Sequence, residues 1–179
     1  IAKTMIPSTI FLSLFLVVSC VDPKKIDLPS GEGLPDQESW GVTIFMTHEG
    51  RIRAKVNSGH LEKHNEREFI ILDSSVIVDF FDLEENHTST LISDKSEINE
   101  KSNDMLAVGN VIAKSDSGIT LYTEKLQWVA EEEKLFTKDS IMITTLDSDT
   151  LYGRGFESNS DLENWRIINP SGVTGKTYR

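Results

Sequence analysis

Residues 90–158 repeat themselves, and that constrains the fold more than any other feature of the chain. Shifted by thirty positions, Thr90-Leu91-Ile92-Ser93-Asp94-Lys95 falls on Thr120-Leu121-Tyr122-Thr123-Glu124-Lys125. The same shift carries Met105-Leu106 onto Leu135-Phe136, Val111 onto Ile141 and Ala113 onto Ile143. A further thirty places Thr120-Leu121-Tyr122 on Thr150-Leu151-Tyr152. Upstream, an offset of thirty-five aligns Ser58 with Ser93, Ile70-Ile71 with Met105-Leu106, and Val76 with Val111. A fixed period of this size marks an array of supersecondary units that bury a shared core by stacking. Each unit reads as two short strands, one starting at the Thr-Leu pair and one at the apolar cluster fifteen residues later. The surplus of five residues falls at 82–88, where a longer turn is expected.

The rest of the chain agrees with a β array. Residues 42–46 and 51–55 read as strands around a turn at His48-Glu49-Gly50, and 60–68 reads as polar and turn-like. Residues 69–81 form a long strand with Ile70, Leu72, Val76, Val78 and Phe80 on one face and Asp73 and Asp79 on the other. Strands follow at 90–98, 105–113, 119–129, 134–145 and 151–158. In 160–169 a helical turn is conceivable, but strand is favoured. Sustained apolar residues at helical spacing are absent, so the expected class is all-β: a twisted jelly roll or sandwich of about ten short strands.

The first nineteen residues form a different kind of segment. Lys3 precedes an apolar run over 10–18, followed by Ser19 and Cys20. The run is too short for a bilayer core of about 30 Å, which takes roughly 20 residues, and suits the central region of a secretory signal. Val17-Val18-Ser19-Cys20 resembles the bacterial lipoprotein box, so Cys20, the one cysteine of the chain, is expected to be acylated and to become the mature N-terminus. Residues 20–39, with Pro23, Pro29, Gly31, Gly33 and Pro35, read as a flexible tether. The folded domain is then expected over 40–179. A net charge of −11 and the lack of a basic stripe argue against a nucleic-acid partner.

Chemistry is sparse. His48, His60, His64 and His87 stand in or beside predicted turns. His60 and His64 have the spacing of a helical metal pair, but on a strand–turn segment they need not converge. No metal site, no cofactor and no catalytic residue is therefore assigned. What remains is the apolar content: Val76, Val78, Phe80, Val111, Ala113, Leu121, Trp128, Ile141 and Ile143 stand at equivalent inward positions of successive units. Most are expected to be ordinary core. A sandwich open along one edge would also offer an apolar slot for acyl chains, with Phe80 and Trp128, near strand ends, at its rim.

The motif order resembles a known family. The lipobox leader and tether precede Pro35-Asp36-Gln37 and Gly50. Val108-Gly109-Asn110-Val111, residues 120–128 (Thr-Leu-Tyr-Thr-x-x-Leu-x-Trp) and the close Leu151-Tyr152-Gly153-Arg154-Gly155-Phe156 follow. Over about residues 35–165 this is similar to LptC, a periplasmic lipopolysaccharide-export family of the LptA/OstA-like jelly-roll group. The resemblance implies no catalysis. It implies a carrier that takes lipopolysaccharide from an inner-membrane export ABC transporter and passes it to an LptA-like bridge protein. Jelly rolls of this group stack edge to edge, which makes Val42, Ile44 and Met46 at one end and Leu151, Gly153 and Gly155 at the other the expected partner edges. The best-known members keep a transmembrane helix, whereas here a lipidated Cys20 would hold the protein at a membrane, the inner one by function. The alternative is a structural lipoprotein polymerising through its sheet edges. Its usual shorter repeats fit the thirty-residue unit poorly. An enzyme acting on envelope glycans is disfavoured, because no convergent acid/base set stands out.

Overall fold

A computed structural model describes residues 34–147 and 149–172. The expected leader over 1–19, Cys20 and most of the 20–39 tether lie outside the described residues. The folded unit begins at Pro35, and its first strand takes in Gln37 to Ser39, so the sheet starts earlier than residue 40.

Among the described residues there are eleven strands and a single short 3-10 turn at Asn65–Arg67. The strands are β1 (Gln37–His48), β2 (Arg51–His64), β3 (Phe69–Asp73), β4 (Val76–Phe81), β5 (His87–Ser93) and β6 (Lys95–Asn99). They continue as β7 (Met105–Ser115), β8 (Thr120–Val129), β9 (Lys134–Thr144), β10 (Thr150–Asn159) and β11 (Arg166–Ser171). All pairings are antiparallel. β3 and β4 both lie along β2, and β6 and β5 both lie along β7, so each of these pairs is one long strand with a break. The result is a meander in which every long strand pairs with its neighbours in sequence, with β1 at one edge and β11 at the other.

The strand faces follow the sequence alternation. Leu72, Val76, Val78 and Phe80 are buried and Ile70 packs against them, while Asp73 and Asp79 face out. Alternation survives the break at Ser74-Ser75 because exactly two residues are inserted. The turn at 82–86, where the five extra residues were expected, is tied by Asp82. Its carboxylate accepts from the backbone N–H of Glu84 and Asn86 and from Asn86 Nδ2. The Asn86 contacts hold the Asp82 carboxyl below its ordinary range.

Residues 60–68 differ from expectation. β2 continues to His64, because its polar residues face out while Leu61 supplies the buried side. The strands also bend at corresponding points, and the aligned bends crease the sheet. At the crease stand Ser74-Ser75 and Gly109-Asn110, all with positive φ, and Gly155 with φ 81°. A Cβ at Gly109 would stand 2.6 Å from Asp94 Oδ2, and Asn110 Nδ2 donates to that same oxygen at 2.8 Å.

At the crease a buried hydroxyl hydrogen-bonds a backbone carbonyl each time. Ser58 Oγ donates to His60 O at 2.8 Å and lies 2.6 Å from Asp73 O. Ser93 Oγ donates to Lys95 O at 3.0 Å, and Thr123 Oγ1 reaches Ser140 O at 3.1 Å. These are the residues the thirty-five and thirty offsets bring into line. Replacing Ser93 by alanine removes its buried hydrogen bonds to the Lys95 carbonyl and to Ser96 Oγ, so the urea midpoint should fall by an amount equivalent to about 1–2 kcal/mol. Ser102→Ala, in an exposed turn, should change it far less.

Candidate functional site

Folding along the crease sets one half of each long strand facing the other, and the apolar inner faces meet between two walls. In the first wall one row runs in register across eight strands: Ile44, Val56, Val78, Leu91, Ala113, Leu121, Ile143 and Leu151. In the second wall Ile70, Ile98, Met105, Trp128 and Leu135 form the corresponding row.

The nine interior positions expected from the repeat, Val76, Val78, Phe80, Val111, Ala113, Leu121, Trp128, Ile141 and Ile143, are all buried between these walls. The structure adds Leu91, Met105, Leu135 and Phe156 to them. The first three had a signal in the sequence: Leu91 is the repeat equivalent of Leu121, and Met105 that of Leu135. Leu162, buried from the turn between β10 and β11, had none.

The two walls touch away from the crease, at what is the mouth of the interior. Phe80 of β4 meets Trp128 of β8 edge to face, ring centroids 5.3 Å apart and planes at 62°. Beside them Arg53 of β2, almost fully buried, donates through Nη2 to Glu133 in the turn between β8 and β9. Ser89 Oγ donates to the carbonyl of Ser160 across the same gap. Arg53 Nε and Nη1 and Trp128 Nε1 are buried donors with no hydrogen-bond partner among the described residues. Arg53 and Trp128 both line a small cavity of about 90 Å³ together with Met46, Ser102 and Asn103. The contact is thus apolar at Phe80 and Trp128 and polar at Arg53, Glu133, Ser89 and Ser160.

The edges correct one expectation. Val42, Ile44 and Met46 do lie on β1, which among the described residues pairs only with β2. Leu151, Gly153 and Gly155 do not lie on an edge: β10 pairs with β9 on one side and β11 on the other. The last repeat is completed by β11, which pairs along β10. Gly153 lacks a side chain for an internal reason, since a Cβ there would stand 2.3 Å from Ile167 Cγ2 of β11. Gly155 marks the bulge where β10 turns the crease. The C-terminal edge is β11.

The histidines part company. His48 and His87 stand at strand ends, whereas His60 and His64 both point to the outer face of β2. His60 there meets Glu38, Asp73 and Trp40 rather than His64.

Comparison with known proteins places this architecture. No curated protein sequence matches the chain. The solved structure of LptH from Pseudomonas aeruginosa, described as the LptA-homologous periplasmic component of the conserved lipopolysaccharide transport device, is similar in fold. The TM-score is 0.52 at 11% identity, covering 70% of this chain and 89% of that one. The family model for lipopolysaccharide-assembly, LptC-related proteins matches residues 42–175. With that match spanning the creased sheet from β1 to β11, the chain belongs to the LptC-related family, whose members are non-enzymatic proteins of lipopolysaccharide transport.

Proposed function

We propose that the domain is a periplasmic carrier that receives lipopolysaccharide from the inner-membrane export ABC transporter and passes it to an LptA-like bridge protein. The observation that supports this most is the unbroken apolar row from Ile44 on the edge strand β1 to Leu151 on β10. It gives acyl chains a path crossing the strands, from one free edge almost to the other. Burial of apolar surface is worth about 25 cal/mol per Å², so such a path holds acyl chains without specific contacts. Among the described residues β1 and β11 are the edges of the sheet, and a strand of a neighbouring jelly roll can satisfy the backbone groups left unpaired there. Stacking of that kind would join the inner rows of adjacent domains. An acylated Cys20 would keep the domain at the inner membrane, beside the transporter.

Photo-crosslinking groups at Phe80 and Trp128, inside the mouth, should capture lipopolysaccharide in cells, and one at exposed Glu132 should not. Equal labelling at all three positions would mean surface contact and would count against an internal path. Adducts between copies of the chain, without lipopolysaccharide, would favour the polymerising scaffold instead.

A further inference from the structure

We propose that the outer face of the β1–β2 hairpin holds a divalent transition-metal site built from Glu38, His60 and Glu62. One ligand atom from each, imidazole nitrogen or carboxylate oxygen, lies within 4.8 Å of the others. The placement follows from register. Glu38 stands directly opposite Glu62, and His60, two residues before Glu62, projects from the same face of β2. Two carboxylates directly opposite each other across an antiparallel pair repel, and a cation between them turns that repulsion into attraction.

His60 supplies the independent observation. Its Nδ1 lies 3.2 Å from Asp73 Oδ1 on β3. With the Asp73 carboxylate accepting, the Nδ1–H tautomer makes that hydrogen bond and leaves the Nε2 lone pair available to a cation. That Nε2 is buried and has no hydrogen-bond partner among the described residues. Glu38 Oε1 is 3.7 Å from it, too far for a hydrogen bond. Two donors bound to one tetrahedral zinc at about 2.0–2.2 Å stand roughly 3.3–3.6 Å apart, close to this spacing. Trp40, opposite His60 in register, packs its ring 5.3 Å from the imidazole and limits its rotation. Asp73 behind, His60 between and the carboxylates in front reproduce the carboxylate–imidazole–metal order in which the outer carboxylate orients the ring.

One nitrogen and two oxygens suit zinc or a neighbouring first-row cation, and the exposed side of Glu38 leaves a coordination position for water. His64 Nε2 lies 3.6 Å from Glu62 Oε2 and flanks the site. A bound cation would tie the free edge strand to its single neighbour.

Calorimetric titration of the chelator-treated full chain with Zn²⁺ tests this. One saturable equivalent is expected. His60→Gln and Glu38→Gln should each abolish saturable binding, Asp73→Asn should weaken it about tenfold or more, and His48→Gln, at the far end of β1, should leave it unchanged. Melting without metal checks that the variants remain folded, and the melting temperature of the wild type should rise with Zn²⁺ while that of His60→Gln should not. Absence of saturable binding, or equal binding by wild type, His60→Gln and Glu38→Gln, would overturn the site.

Discussion

Trp128→Ala should be the most damaging single truncation in the interior, lowering stability by about 3–5 kcal/mol in a urea titration followed by circular dichroism. Trp128 is buried, belongs to the core cluster and carries the edge-to-face contact with Phe80. Its loss removes a large apolar body at the contact between the two walls. Because domains of this size are held by only about 5–15 kcal/mol, the variant should stay folded but sit near the threshold. Phe136→Ala, on the half-exposed side of β9, should cost much less. Comparable losses at the two positions would mean that the mouth is not a packed contact.

Glu133→Ala should come next, at about 2–3 kcal/mol, less than a fully buried pair would give because Glu133 is partly exposed. The effect arises from what is left behind. Arg53 would keep its charge in a buried position with no acceptor, having two further donors already unpartnered. The double variant Arg53→Met, Glu133→Ala should therefore recover much of the loss, since an apolar residue of similar length removes the stranded charge. A Glu133→Ala midpoint indistinguishable from wild type would show that solvent screens the pair and that it does not hold the mouth closed.

The walls of the molecule were legible in its sequence and the crease was not. Alternation in Val76-Ile77-Val78-Asp79-Phe80 reports which side chains turn inward, because a half-buried strand leaves that period directly in its residues. The crease is written in small polar residues, Ser58, Ser93 and Gly109-Asn110, that also occur in turns. The repeat aligned Ser58, Ser93 and Thr123, but only the carbonyls they satisfy distinguish a bent strand from its end. The C-terminal edge was misplaced for a related reason. β11 alternates poorly and contains Pro170, which an edge strand tolerates and a central one would not. Gly153, expected at a partner edge, is instead where this chain's own last strand lies close. The His60 cluster depends on Glu38 and Asp73, which stand on different strands, and one-dimensional spacing cannot show that.

Because the meander pairs each long strand only with its neighbours, the path through it has an adjustable length. Inserting one more thirty-residue unit between β9 and β10 would add two strands, and so about 9–10 Å of interior at the usual strand spacing, replacing the β9–β10 pairing and the contacts of Ser160 with Ser89 and Glu133. Deleting a unit would shorten it by the same step. In this architecture the reach of the conduit is counted in hairpins, much as the reach of a solenoid is counted in coils.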